Sequence, residues 1–133
     1  MSGSALAAAA QACVGTPFRL HGREPGRGLD CLGLVAVALQ ACGRSVRLPV
    51  GYRLRQIDIT PFLPAADQAG LIPAAGTIAA GDVLLCRTGP AQHHLLIAAA
   101  HGGLIHAHAR IGRVVCSPPP LAWPAIRRWR LRE

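Results

Sequence analysis

The stretch "GLDCLGLV", residues 28–35, decides how this chain is read. It sets one cysteine between an aspartate and an apolar run that includes Leu32, Leu34, Val35, Val37 and Leu39. Asp30 is a good N-cap, and Gly43 follows Cys42 where a helix commonly ends in a left-handed residue. A helix is therefore expected from Asp30 to about Cys42, and its apolar residues run nearly all round, as in a buried central helix. Cys31 then lies in the first turn, facing unpaired backbone N–H groups and the positive end of the helix dipole. Both favour thiolate over thiol, which is what a nucleophile needs. The competing reading is packing, because free cysteine is among the most buried residue types.

The rest of the composition narrows the partners. A chain of 133 residues fits one domain, residues 1–133, burying roughly two thirds of its unfolded surface. The net charge of +8 is carried by arginine alone, with no lysine. That balance favours an anionic partner: nucleic acid, a membrane surface or a carboxylate-rich polymer such as a cell wall. Five cysteines (13, 31, 42, 86, 116), odd in number and without a C-x-x-C pair, exclude a disulfide framework and a cysteine zinc knuckle. The segment "MSGSALAAAAQAC" lacks a basic start and a strong apolar stretch, so no secretory signal is expected, and no run approaches the ~20 apolar residues of a membrane span. The expectation is cytoplasmic synthesis, with any role elsewhere depending on a carrier.

Outward from the central helix, residues 4–14 read as an alanine-rich helix capped by Ser4, and 19–28 as a Gly- and Arg-dense loop. Residues 43–81 are proline-rich, with one short helix near 61–69. Strands are expected near 82–87, 94–100, 103–109, 113–117 and 125–131, separated by the turn chemistry of "RTGP", "HGG", "RIG" and "PPPLAWP". Helices first and strands afterwards imply an α+β fold with a roughly five-stranded antiparallel sheet.

Histidines at 21, 93, 94, 101, 106 and 108 include four on two consecutive expected strands. A cysteine hydrolase needs a base beside the sulfur and a third group to orient that base. A three-residue turn at Ala100–Gly102 would set His108 opposite His94, with His106 on the diagonal. A five-residue turn over 98–102 would set His106 directly opposite, so spacing leaves both orienters open. His93 should point to the other face, and Asp82 reads as a turn residue opening a strand. Cys13, Cys42, Cys86 and Cys116 fall at apolar positions and are expected to be inert. "RRWRLR", 127–132, could be a nucleic-acid stripe with a stacking Trp129. A charged last strand that discourages edge pairing is the preferred reading. Arg19, Arg23 and Arg27 flank Cys31 and could meet anionic substrate.

The blocks "GTPFRLHG…GLDCLGLV" (15–35), "AAGDVLLCR" (79–87), "HLLI" (94–97) and "GLIHA" (103–107) resemble the NlpC-type cysteine peptidases, papain-like enzymes that cleave peptidoglycan stem peptides. The resemblance implies Cys31 as nucleophile, His94 as base and His106 as its orienter, with His108 the competitor. It also implies an aromatic ring near the nucleophile at Phe18 and cleavage at a γ-D-glutamyl–diamino-acid bond; Asp30, Arg19 and Arg23, from their places beside Cys31, are expected around the oxyanion and substrate, with no cofactor or metal. "GTPF…DCLGLV" looks most like the short branch found in phage and gene-transfer-agent tails, which implies tail-assembly partners and delivery to the wall. Two positions depart from the pattern: Phe18 stands where a tyrosine is usual, and Leu32 where a serine usually follows the nucleophile. Rival readings are a zinc hydrolase ligated by His94, His106 and His108, or a non-catalytic structural or nucleic-acid-binding virion component.

Overall fold

The computed structural model describes residues 2–47, 62–90 and 92–133; part of the proline-rich 43–81 stretch lies outside these described residues. The helices are α1 (Ser2–Gln11), α2 (Cys31–Ala41) and α3 (Phe62–Gln68). A two-residue pair, β1 (Arg23–Glu24) and β2 (Gly28–Leu29), pins the loop ahead of α2. The main strands are β3 (Leu71–Pro73), β4 (Val83–Gly89), β5 (Gln92–Ala98), β6 (Leu104–His108), β7 (Arg113–Ser117) and β8 (Ala125–Leu131). They form one antiparallel sheet in the order β3-β8-β4-β5-β6-β7. The fold is thus α+β.

The central helix begins and ends where its caps dictate. The Asp30 carboxylate accepts the Gly33 N–H at 2.8 Å, Cys42 is the C-cap, and Gly43 follows at φ 77°. By contrast α1 starts earlier than expected, so Ser4 lies inside it rather than capping it. Its first residue, Ser2, instead donates from both backbone and hydroxyl to the Glu133 carboxylate.

Two expectations about the sheet need correction. Among the described residues the main sheet has six strands, one more than expected: β3 is three residues long and ends in proline, too short to show alternation, and it occupies an edge where a missing N–H is tolerated. The arginine-rich last strand is not an edge either, because β8 lies between β3 and β4. Two of its arginines instead engage the buried Asp82, which receives Arg130 Nε at 2.8 Å and Nη2 at 3.0 Å, with Arg128 Nη1 at 3.8 Å. Asp82 also accepts the Ala79 N–H, fixing the turn that opens β4. Trp129 is buried edge-on against Phe62, so it offers no platform for a stacking base.

Alternation along the strands gives the sheet two unequal faces. Val83, Leu85, Leu95, Ile97, Ile105 and Ala107 join the helices' Leu6, Ala10, Leu34, Val35 and Leu39 in the main core. The opposite face, Leu84, Cys86, Leu96, Ala98 and Leu104, is covered by Leu121 and Trp123 from the β7–β8 connection. Cys116 departs from its apolar expectation: it is exposed.

Candidate active site

The loop ahead of α2 is fastened to the helix's first turn by one buried carboxylate. Asp30 accepts the His21 N–H at 2.8 Å, the Gly33 N–H at 2.8 Å and Arg23 Nη1 at 3.0 Å. Gly33 permits this closeness, since a Cβ there would lie 2.0 Å from the Gly22 carbonyl oxygen. His21 takes up a left-handed φ of 64° to turn the loop. Arg23 is held inward by Asp30 and the Gly22 carbonyl, while Arg19 lies exposed with its stem across Gly28. Phe18 is half-buried and packs on the main core, its N–H bonded to the Gly112 carbonyl. Asp30 and Arg23 thus act on the loop, while Arg19 and Arg27 lie at the surface, Arg27 beside Glu24 at 3.7 Å.

Cys31 sits half-buried at the start of α2. Backbone direction explains what it faces. The Ala98 N–H bonds to Asp82 of the β4 side, whereas the Ala99 N–H bonds to Gly103 on the β6 side. Alternation therefore turns the Leu95 N–H toward β6 as well. The β5–β6 ladder, however, stops at Ile97↔Ile105, and the strands diverge beyond it. Cys31 occupies that fork: the Leu95 N–H points at its thiol and favours the thiolate, as does the Leu32 N–H. These donors do not prevail. Burial, joined by the Asp30 charge, pushes the thiol up to about 11. The expectation of a resting thiolate is thus reversed: burial is the larger of the two causes, and the carboxylate that caps the helix adds to it against the helix terminus.

The histidines meet on the sheet face covered by Trp123. His94 Nε2 lies 2.9 Å from His106 Nδ1, and His106 Nε2 lies 2.8 Å from Ser117 Oγ. The Trp123 ring lies nearly perpendicular to both imidazoles, with centroids 5.8 Å from His94 and 5.9 Å from His106. His106 is 1% exposed. Burial, with the neighbouring imidazoles His106 and His108, lowers His94 to about 3. Burial and His108 lower His106 to about 4. His108 itself accepts the Ile111 N–H at 3.1 Å and so braces the β6–β7 turn.

The register does not follow the five-residue turn. Ile97↔Ile105 and Ala98↔Leu104, continued along the strands, set His108 opposite His94 and His106 on the diagonal. His106 nonetheless makes the contact, because the strands have separated there. Ser117 and Trp123 were not foreseen from sequence. Ser117 ends a strand without any motif, and Trp123 lies in "PPPLAWP", which reads only as turn. Among the described residues, no group of three or more His, Cys, Asp or Glu is arranged to hold a metal ion.

Both nitrogens of His106 and Nε2 of His94 are taken up by these contacts, and Nδ1 is the other ring nitrogen of His94. The arrangement provides a thiol, a neutral imidazole and a two-step hydrogen-bonded support.

The chain is similar to known proteins over most of its length. The NlpC/P60 family model matches residues 15–125. Protein P54 of Enterococcus faecium is 28% identical over 128 residues, 92% of this chain, which spans 22% of that protein's length. Among solved structures, the NlpC/p60 domain of the peptidoglycan hydrolase SagA is 27% identical with a TM-score of 0.59, covering 87% of this chain and 88% of that one. NlpC2 from Trichomonas vaginalis superposes with a TM-score of 0.68 at 19% identity, over 97% of this chain and 48% of its own. The peptidoglycan hydrolase RipB from Mycobacterium tuberculosis does so at 0.66 and 21% identity, over 99% and 65%.

Proposed function

The chain belongs to the NlpC/P60 family, and from that premise we propose that it is a cell-wall hydrolase, a cysteine endopeptidase acting on peptidoglycan stem peptides. The carrying observation is the 2.9 Å bond between His94 Nε2 and His106 Nδ1, on the strand whose next residue, Leu95, faces the Cys31 thiol. The SagA domain, similar over most of both chains, is a peptidoglycan hydrolase domain and supports the choice of substrate.

The chemistry starts from a neutral pair. As Cys31 Sγ attacks the amide carbonyl, its proton passes to Nδ1 of His94. The imidazolium keeps Nε2–H on His106 Nδ1, whose low proton affinity leaves it an acceptor. The cap takes the Gly33 and Leu34 N–H groups and the Leu32 N–H is directed at the thiol, so the Cys31 N–H at the helix start is the one assigned to hold the oxyanion. Collapse gives the His94 proton to the leaving amine and leaves a thioester. Water, deprotonated by His94, hydrolyses it to the acid and the free thiol.

The γ-D-glutamyl–diamino-acid bond is the proposed target, and the net charge of +8 would draw the protein to a carboxylate-bearing wall. Delivery by a phage-tail-like assembly rests on the likeness of residues 15–35 to the short tail branch. No helix among the described residues is long and apolar enough to cross a membrane. Incubation with purified peptidoglycan, with released fragments identified by mass, tests the reading: new termini at that bond support it, and unchanged peptidoglycan rejects it.

A further inference from the structure

We propose that Ser117 is a positioning residue that selects the tautomer of the histidine pair, an inference that rests on the cysteine-hydrolase reading for its kinetic consequence but not for its structural one. For His94 to receive a proton at Nδ1, its neutral ring must carry hydrogen at Nε2. That N–H must be accepted by His106 Nδ1, 2.9 Å away, so His106 must carry its own hydrogen at Nε2. The atom that meets this second hydrogen is Ser117 Oγ, at 2.8 Å.

The burial of His106 makes that contact consequential. At 1% exposure its Nε2 has no solvent to turn to, and a buried N–H without an acceptor is costlier than a bare ring nitrogen. Without the hydroxyl, His106 lowers that cost by moving its hydrogen to Nδ1. His106 would then donate to His94 Nε2, and His94 would hold its hydrogen at Nδ1, on the side where it must accept one. The pair would keep its geometry and lose its function as a base. His108 Nδ1 is engaged by the Ile111 N–H, so it is not placed as an acceptor for His106 Nε2, and the oxygen beside that nitrogen is Ser117 Oγ.

The test compares Ser117→Thr with Ser117→Val, side chains of nearly equal shape that differ in the hydroxyl, and adds Ser117→Ala as the smaller variant. Tautomers are read by nitrogen-15 NMR of histidine-labelled protein, which requires no turnover. Wild type and Ser117→Thr should show His106 protonated at Nε2, and the Val and Ala variants a shift of that proton to Nδ1. In stem-peptide cleavage, Val and Ala should lower kcat about tenfold or more with KM little changed, and Thr should restore it. Unchanged His106 tautomers in Val and Ala would overturn the proposal, as would a Thr variant as impaired as Val. Absence of wild-type cleavage would reject the substrate reading alone, since the NMR comparison decides the role of Ser117 by itself.

Discussion

His94 is hydrogen-bonded to His106, which is not its cross-strand partner. The paired residues Ile97↔Ile105 and Ala98↔Leu104 carry a register that sets His108 opposite His94, yet His106 Nδ1 is the atom 2.9 Å from His94 Nε2. The contact forms on the diagonal, beyond the last paired residues Ile97↔Ile105, on the strand whose Leu95 N–H is directed at the Cys31 thiol.

His106→Ala should therefore lower kcat/KM by about a hundredfold or more, and His108→Ala by less than about tenfold. His106→Asn should fall between, since an amide oxygen can accept the His94 N–H. Steady-state cleavage of a stem peptide checks the order; a larger loss in His108→Ala would reverse the assignment.

The neutral pair fixes the pH dependence of activity. With His94 near 3 and the Cys31 thiol near 11, both keep their working protonation across the neutral range. The kcat/KM profile should be flat from about pH 5 to 8, without the acid limb near 6.5 that an unperturbed histidine would give. A midpoint near 6.5 would show that His94 is not buried as described.

Stability should respond to the same burial. Folded His94 and His106 bind protons near 3 and 4, and unfolded histidine near 6.5. Above pH 6.5 both states are neutral there and nothing is lost. Below it the unfolded chain binds more protons, so stability falls as pH drops and the loss saturates only below the folded values. Thermal melts should show Tm declining from pH 6.5 towards 4, with part of that decline absent in His106→Gln. An equal decline in that variant would place the acid sensitivity elsewhere.

Asp30→Ala should destabilise the fold by about 1–3 kcal/mol, since it removes the α2 cap and leaves the His21 and Gly33 N–H groups without their acceptor. Gly33→Ala should do comparable damage, because its Cβ would meet the Gly22 carbonyl. Denaturant unfolding measures both; loss of less than about 0.5 kcal/mol in either would mean that the loop is not fastened there.

Much of this was legible in the chain. Asp30 as cap, Gly43 as stop and Cys31 in the first turn follow from residue types a few positions apart, and so does the run of strands after Gly81. What escaped depends on contacts between distant segments. The insertion of β8 between β3 and β4 has no local signature, and three residues ending in Pro73 cannot display a period of two. Ser117 and Trp123 enter the site only because β7 and the segment after it fold over His106. The thiol's elevation escaped for a related reason: burial of the sulfur, its main cause, depends on how α2 packs in the fold, and the added effect of the Asp30 charge shows only once the loop is folded.

The central claim is that Cys31 is the nucleophile of a histidine-assisted peptidase, and its most direct measurement is stem-peptide cleavage by wild type and Cys31→Ala at matched concentration, with melting curves recorded for both. The account predicts cleavage by wild type, none above background by Cys31→Ala, and closely similar melting. Equal cleavage by the two proteins would contradict it and return Cys31 to the core.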